Sequence, residues 1–109
     1  MLKKLLWVGR TREIIKKFPV EARQEAGHQL NRVQHRKEPS DWKPMPSIGP
    51  GVAEIRIHHP FEHRVIYVVK FEEGIYVLHA FAKKTQKTHE KDLEAARKAF
   101  KEIIRRRKS

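Results

Sequence analysis

The chain has 109 residues, 39% hydrophobic and 35% charged, enough apolar material for one core with little to spare, so a single domain over residues 1–109 is expected. It has no cysteine, which excludes a disulfide framework and a thiolate metal site. The formal charge of +12 is uneven: residues 1–37 hold 10 Lys and Arg against 3 Asp and Glu, residues 38–82 hold 4 against 6, and residues 83–109 hold 11 against 4.

The chain opens with a short apolar segment, Lys3 to Val8, readable as a strand and broken at Gly9. Thr11 is placed to cap a brief helix starting at Arg12, whose stripe of Ile14, Ile15 and Phe18 is closed by Pro19. A second helix is expected from Val20 to Arg36, because Ala22, Ala26, Leu30 and Val33 fall on one face at helical spacing. The two together suggest a helix hairpin. Residues 38–51 hold four of the six prolines and two of the five glycines and read as a loop.

From Val52 the period changes to two. Ala53, Ile55 and Ile57 alternate with Glu54, Arg56 and His58, and two further strands, residues 63–71 and 74–82, meet at a turn of Glu72, Glu73 and Gly74. Phase alone would put His79 on one face with Val77 and Phe81. The last segment, His89 to about Arg107, is helical with Thr88 as N-cap and Leu93, Ala96, Phe100 and Ile103 as the buried face. The expected class is α+β, in the order β-α-α-β-β-β-α.

Charge at both ends of the chain suits a polyanion, and nucleic acid is the commonest. Lys83, Lys84 and Lys87, with the hydroxyls of Thr85 and Thr88, fall between the last strand and the last helix, where helix N–H groups also favour phosphate. Arg56 and Arg64 could join them from two other strands. His79 has an imidazole suited to acid or base work, and is equally readable as a packed core histidine. His58, His59 and His63 read as turn histidines, and no metal is expected. Trp7 reads as core and Trp42 as a cover for the helix hairpin. The apolar run near the N-terminus is too short for a secretory leader, and no segment reaches the roughly 20 apolar residues of a membrane helix, so a cytoplasmic, membrane-free location is expected.

The stretches WVGRTREIIKKFP near the N-terminus, KPM at 43–45, GVAEIRI at 51–57, HRVIYVVKF at 63–71 and IYVLHAFAKKTQKT at 75–88 resemble the phage-derived, HigB-like branch of the RelE/ParE toxin superfamily. The strand ending in Phe, one variable residue and two lysines carries most of the specificity. The resemblance implies a small twisted antiparallel sheet with an N-terminal helix hairpin and a C-terminal helix. It further implies the toxin of a type II toxin–antitoxin pair, a ribosome-dependent mRNA endonuclease working without metal or cofactor by attack of the 2′-hydroxyl on the adjacent phosphate. The implied partners are mRNA in the ribosomal A site and a cognate antitoxin, often of helix-turn-helix type, with a possible oligomer of the two.

Carried over by position, the resemblance assigns Arg56 and Arg64 to the scissile phosphate, and Lys83 and Lys84 to phosphate binding and protonation of the leaving oxygen. His79 is a candidate acid or base, Glu54 either the general base or a partner that orients Arg56, and Thr85, Lys87 and Thr88 are RNA contacts. The chain departs from its relatives at Ala82, where they often carry glutamine, at His63, where they often carry tyrosine, and at Asp92, the nearest equivalent to a tyrosine of RelE-type toxins. A topoisomerase inhibitor of the ParE kind and a non-toxic phage-derived nucleic-acid-binding protein remain open beside the nuclease.

Overall fold

Proline and glycine divide the chain into short segments, and in the computed structural model, which describes residues 2–108, each apolar-periodic segment becomes a regular element. In chain order these are β1 (Leu5–Trp7), α1 (Thr11–Lys16), α2 (Val20–Gln34), β2 (Trp42–Pro44), β3 (Val52–Ile57), β4 (His63–Val68), β5 (Ile75–Ala82) and α3 (Glu90–Lys108). The strands form one sheet in the order β1-β5-β4-β3-β2. The pairs β2–β3, β3–β4 and β4–β5 are antiparallel, whereas β1 runs parallel to β5. The expected α+β class holds, with one parallel pair at an edge, because the helices intervene between β1 and the rest of the sheet.

Both faces of the sheet are covered. Ile15, Phe18, Ala22, Ala26, Leu30 and Val33 of α1 and α2 pack on Ala53, Ile55, Ile57, Val65 and Val77. On the opposite face Ala96, Phe100 and Ile103 of α3 pack on Val52, Ile66, Val68, Leu78 and Phe81. Strands buried on both sides explain why Ile55, Val65 and Ile66 have no exposed surface at all. Trp7 and Trp42 are partly buried against the α1/α2 core. Gly49 lets the loop after β2 lie on α3, since a Cβ there would stand 2.5 Å from the Phe100 ring. Gly74 has φ +154°, and a Cβ there would meet the Lys4 carbonyl at 2.7 Å, so the β4–β5 turn passes close against the start of β1.

Four local expectations are corrected. Within the proline-rich stretch, Trp42–Pro44 forms an edge strand, which tolerates Pro44 because an outer strand has one side without a ladder partner. Thr11 is the first residue of α1 rather than its cap, and its hydroxyl donates to the Val8 carbonyl. Similarly, α3 begins at Glu90, and His89 rather than Thr88 accepts the bond from the Leu93 amide. A bulge in β5 places Val77 opposite Tyr67 but His79 opposite Ile66, so Leu78 is the extra residue. Val77 therefore faces α1 and α2, while His79 and Phe81 face the α3 side. Among the described residues no helix is long and apolar enough to cross a membrane.

Candidate functional site

The alternation of β3 and the start of β4 puts cations on the α3 side of the sheet but beyond the helix's apolar footprint. Arg56 of β3 stands directly opposite Arg64 of β4. Like charges in that position repel. Glu54, on the same face of β3, offsets the repulsion: its Oε1 lies 3.7 Å from Nε of Arg56 and 3.6 Å from Nε of Arg64. The carboxylate is 1% exposed and Arg64 5%, while a third of the Arg56 side chain reaches solvent. Glu54 Oε2 and the two arginine Nε atoms are buried without hydrogen-bond partners among the described residues. The three groups are thus held together by charge rather than by direct hydrogen bonds. Lys43 of β2 stands opposite Glu54 in the register.

The other end of the Arg64 guanidinium is turned to a chain of polar groups. Its Nη1 donates to Glu62 Oε1 at 2.7 Å and to the His63 carbonyl at 3.0 Å. Glu62 Oε2 lies 2.8 Å from His58 Nδ1, and His58 Nε2 lies 2.5 Å from Asp41 Oδ2. Hydrogen bonds to Asp41 and then Glu62 raise the His58 imidazole above its ordinary value. Those from His58 and then Arg64 hold the Glu62 carboxyl below its own. Lys83 leaves β5 with its amide bonded to the Glu62 carbonyl at 2.8 Å. Its ammonium is lowered, first by burial and next by the charge of Arg64, with Lys43 and Arg56 adding to the effect and Glu54 opposing it. Glu62, Arg64, Lys83, Lys84, Thr85 and Gln86 line an open cleft of about 440 Å³.

Arg64, Lys83, Lys84 and Thr85 therefore line the cleft, with Glu54 and Arg56 beside Arg64 on β3, and Arg56 itself lining a separate groove with Asp41 and His58. The cleft is built from the start of β4 and the end of β5, and no residue of α3 lines it. Lys87 and Thr88 are outside that lining, and the Lys87 carbonyl accepts a bond from the Thr85 hydroxyl at 2.6 Å. His79 is also outside: its Nε2 lies 2.9 Å from Asp92 Oδ1 on the first turn of α3, and its ring stacks on Phe81. His63 is a core group, 1% exposed, with its ring against Phe18 and Phe61. The C-terminal cations are engaged with the fold, Arg107 with Glu73 and over the Phe71 ring, and Arg105 with Glu102.

Two contributors, Glu62 and Asp41, were not singled out from the sequence, and a third, His58, reads there only as a turn histidine. Glu62 and His58 carry a local signal, a spacing of four across the β3–β4 turn, whereas Asp41 lies 17 positions from His58 and carries none. Among the described residues no group of three or more His, Cys, Asp or Glu side chains is arranged to hold a metal ion.

A model of the family described as phage derived protein Gp49-like matches residues 13–101, most of the chain. The chain belongs to the Gp49-like family. A solved structure of the E. coli toxin RelE, a double arginine-to-alanine mutant in the free state, superposes on this Gp49-like chain with a TM-score of 0.66. The two share 17% identity over 94% of this chain and 99% of that one, a likeness of fold. The chain is thus Gp49-like by family and RelE-like in fold. No curated protein matches the sequence.

Chemically, the Gp49-like cleft offers cations from β4 and from the end of β5 around a space the size of a phosphate group and its neighbours. Such an array can bind a phosphodiester and stabilise negative charge that grows on its oxygens.

Proposed function

We propose that the protein is the toxin of a type II toxin–antitoxin pair and cleaves mRNA on the ribosome. The observation that carries this reading is that Arg64, Lys83 and Lys84 line one cleft at the end of the sheet, with Arg56 directly opposite Arg64 in the register, so that cations of three segments lie at or beside it. A protein that only binds a topoisomerase has no need to gather these cations about one phosphate.

In this mechanism the scissile phosphate enters the cleft and takes the place of Glu62 on the Arg64 guanidinium. Glu54, nearly without exposed surface, holds Arg56 and Arg64 in position and does not meet the substrate. Glu62 is the carboxylate lining the cleft and accepts the proton of the 2′-hydroxyl. The 2′-oxygen bonds to phosphorus, the bond from phosphorus to the 5′-oxygen breaks, and the Lys83 ammonium, with its proton affinity already lowered, protonates the leaving oxygen. The products are a 2′,3′-cyclic phosphate and a 5′-hydroxyl. His79, tied to Asp92 outside the cleft, supports the packing of α3 on β5.

The test is to induce the chain in a bacterium without its antitoxin and map new mRNA 5′ ends within minutes. Cuts linked to reading frame inside translated regions are expected. Growth arrest with intact message would replace this reading with topoisomerase inhibition, and unimpaired growth would leave a nucleic-acid-binding protein.

A further inference from the structure

On the opposite face of the sheet from the cation cleft is a larger groove, about 550 Å³, between the end of α2 and the β2–β3 edge. Its floor is apolar, with Val33, Trp42 and Val69 among the lining side chains. Tyr67 also lines it. This residue is 4% exposed, and its hydroxyl has no hydrogen-bond partner among the described residues. Burial, followed by the charge of Glu38, pushes the phenol up to about 12, so it stays protonated and able to donate. Lys3, Arg36 and Lys37 stand on the rim against one carboxylate, Glu38. Among the described residues no ion pair engages Arg36 or Lys37.

Arg36 is also conformationally unusual. It closes α2 in a Schellman arrangement, with the Lys37 amide bonded to the Arg32 carbonyl at 2.9 Å and the Arg36 amide to the Val33 carbonyl at 3.0 Å. Its φ is +65°, the left-handed conformation that favours glycine. An arginine there works against the backbone preference, and its side chain lines the groove. The nearby edge is a poor template for an added strand, because Pro39, Pro44 and Pro46 lack amide donors. An occupant would be held by its side chains.

We infer that this groove anchors an acidic, amphipathic segment of the antitoxin, with an apolar side chain on the Trp42 floor, an acceptor on the Tyr67 hydroxyl and carboxylates on Arg36 and Lys37. The inference rests on the toxin–antitoxin reading. Ala53 and Tyr67 belong to the face packed against α1 and α2, whereas Glu54 and Arg64 are on the other, so the segment is an anchor and leaves the cleft for another part of the antitoxin to cover.

The test is to purify the chain and the product of the gene beside its own, and to measure their affinity by calorimetry for wild type, Arg36→Gly and Tyr67→Phe. Both variants should keep a thermal midpoint close to that of wild type, since glycine suits the Arg36 conformation and phenylalanine preserves the packing of the Tyr67 ring. Each should weaken antitoxin binding by about tenfold, the scale of one charged contact or hydrogen bond at an interface. Wild-type affinity in both variants would overturn the groove assignment while leaving the toxin–antitoxin pair intact. Unchanged antitoxin binding with weakened binding of a single-stranded RNA oligonucleotide would overturn it in favour of nucleic acid. A wild-type chain that forms no complex with that gene product would overturn the toxin–antitoxin reading itself, and this inference with it.

Discussion

Replacing Glu54 with Gln separates a structural from a catalytic carboxylate. The change keeps shape and removes one negative charge from between Arg56 and Arg64, which stand opposite each other on β3 and β4. Removing one partner from a buried ion pair costs about 3–5 kcal/mol, largely because the remaining charge is stranded. Three features favour the lower end: the separations are 3.6 and 3.7 Å without hydrogen bonds, Arg56 is a third exposed, and Arg64 keeps Glu62. We expect a loss of about 3 kcal/mol, seen as a fall in thermal midpoint of roughly 10–20 °C for a domain of this size. Urea unfolding monitored by circular dichroism gives the free energy, and cleavage of message should be assayed well below the lowered midpoint. There the folded variant should still cut RNA. A variant as stable as wild type to within about 1 kcal/mol, and inactive, would refute the positioning role and make Glu54 the base.

Arg64→Lys keeps a charge in the cleft but loses the fork that reaches Glu54 and Glu62 together, so mRNA cleavage should drop roughly 10²-fold with the fold retained; undiminished cutting would remove Arg64 from the site. His58→Gln should expose a pH signature. A raised histidine contributes stability fully below its unfolded value of 6.5 and loses it as pH rises through the folded value, while a lowered Glu62 contributes above 4.5 and loses it as pH falls. The gap in urea stability between wild type and variant should therefore be larger at about pH 5.5 than at about pH 8.5, and stay below about 1 kcal/mol because both groups are well exposed. Equal gaps at the two values would show that the pair is not formed in solution. Gly49→Ala drives a Cβ against the buried Phe100 ring and should lower the urea midpoint by the equivalent of about 1–3 kcal/mol, whereas a neutral result would mean that the loop after β2 does not rest on α3.

Local periodicity was enough to place most of the elements, because a side chain's face on a helix or strand depends on its near neighbours in sequence. The apolar spacing of Ala22, Ala26, Leu30 and Val33 does form the buried face of α2, and the alternation through Ala53, Ile55 and Ile57 sets the two faces of β3. The cluster of lysines after β5 and the arginines on two strands were visible as candidates for the same reason. What local pattern could not carry was pairing. Glu54 acquires its position from an arginine on each of two strands, the Asp41–His58–Glu62 chain closes across 17 positions, and Trp42–Pro44 becomes a strand through the edge of β3 beside it. The bulge at Leu78 likewise depends on the partner strand, and it separates Val77 from His79 despite their even spacing. Sequence by itself determined the elements, their buried faces and the excess of cations. Only the tertiary structure decided which charges meet and which are buried, because register and burial are settled by contacts between segments distant along the chain.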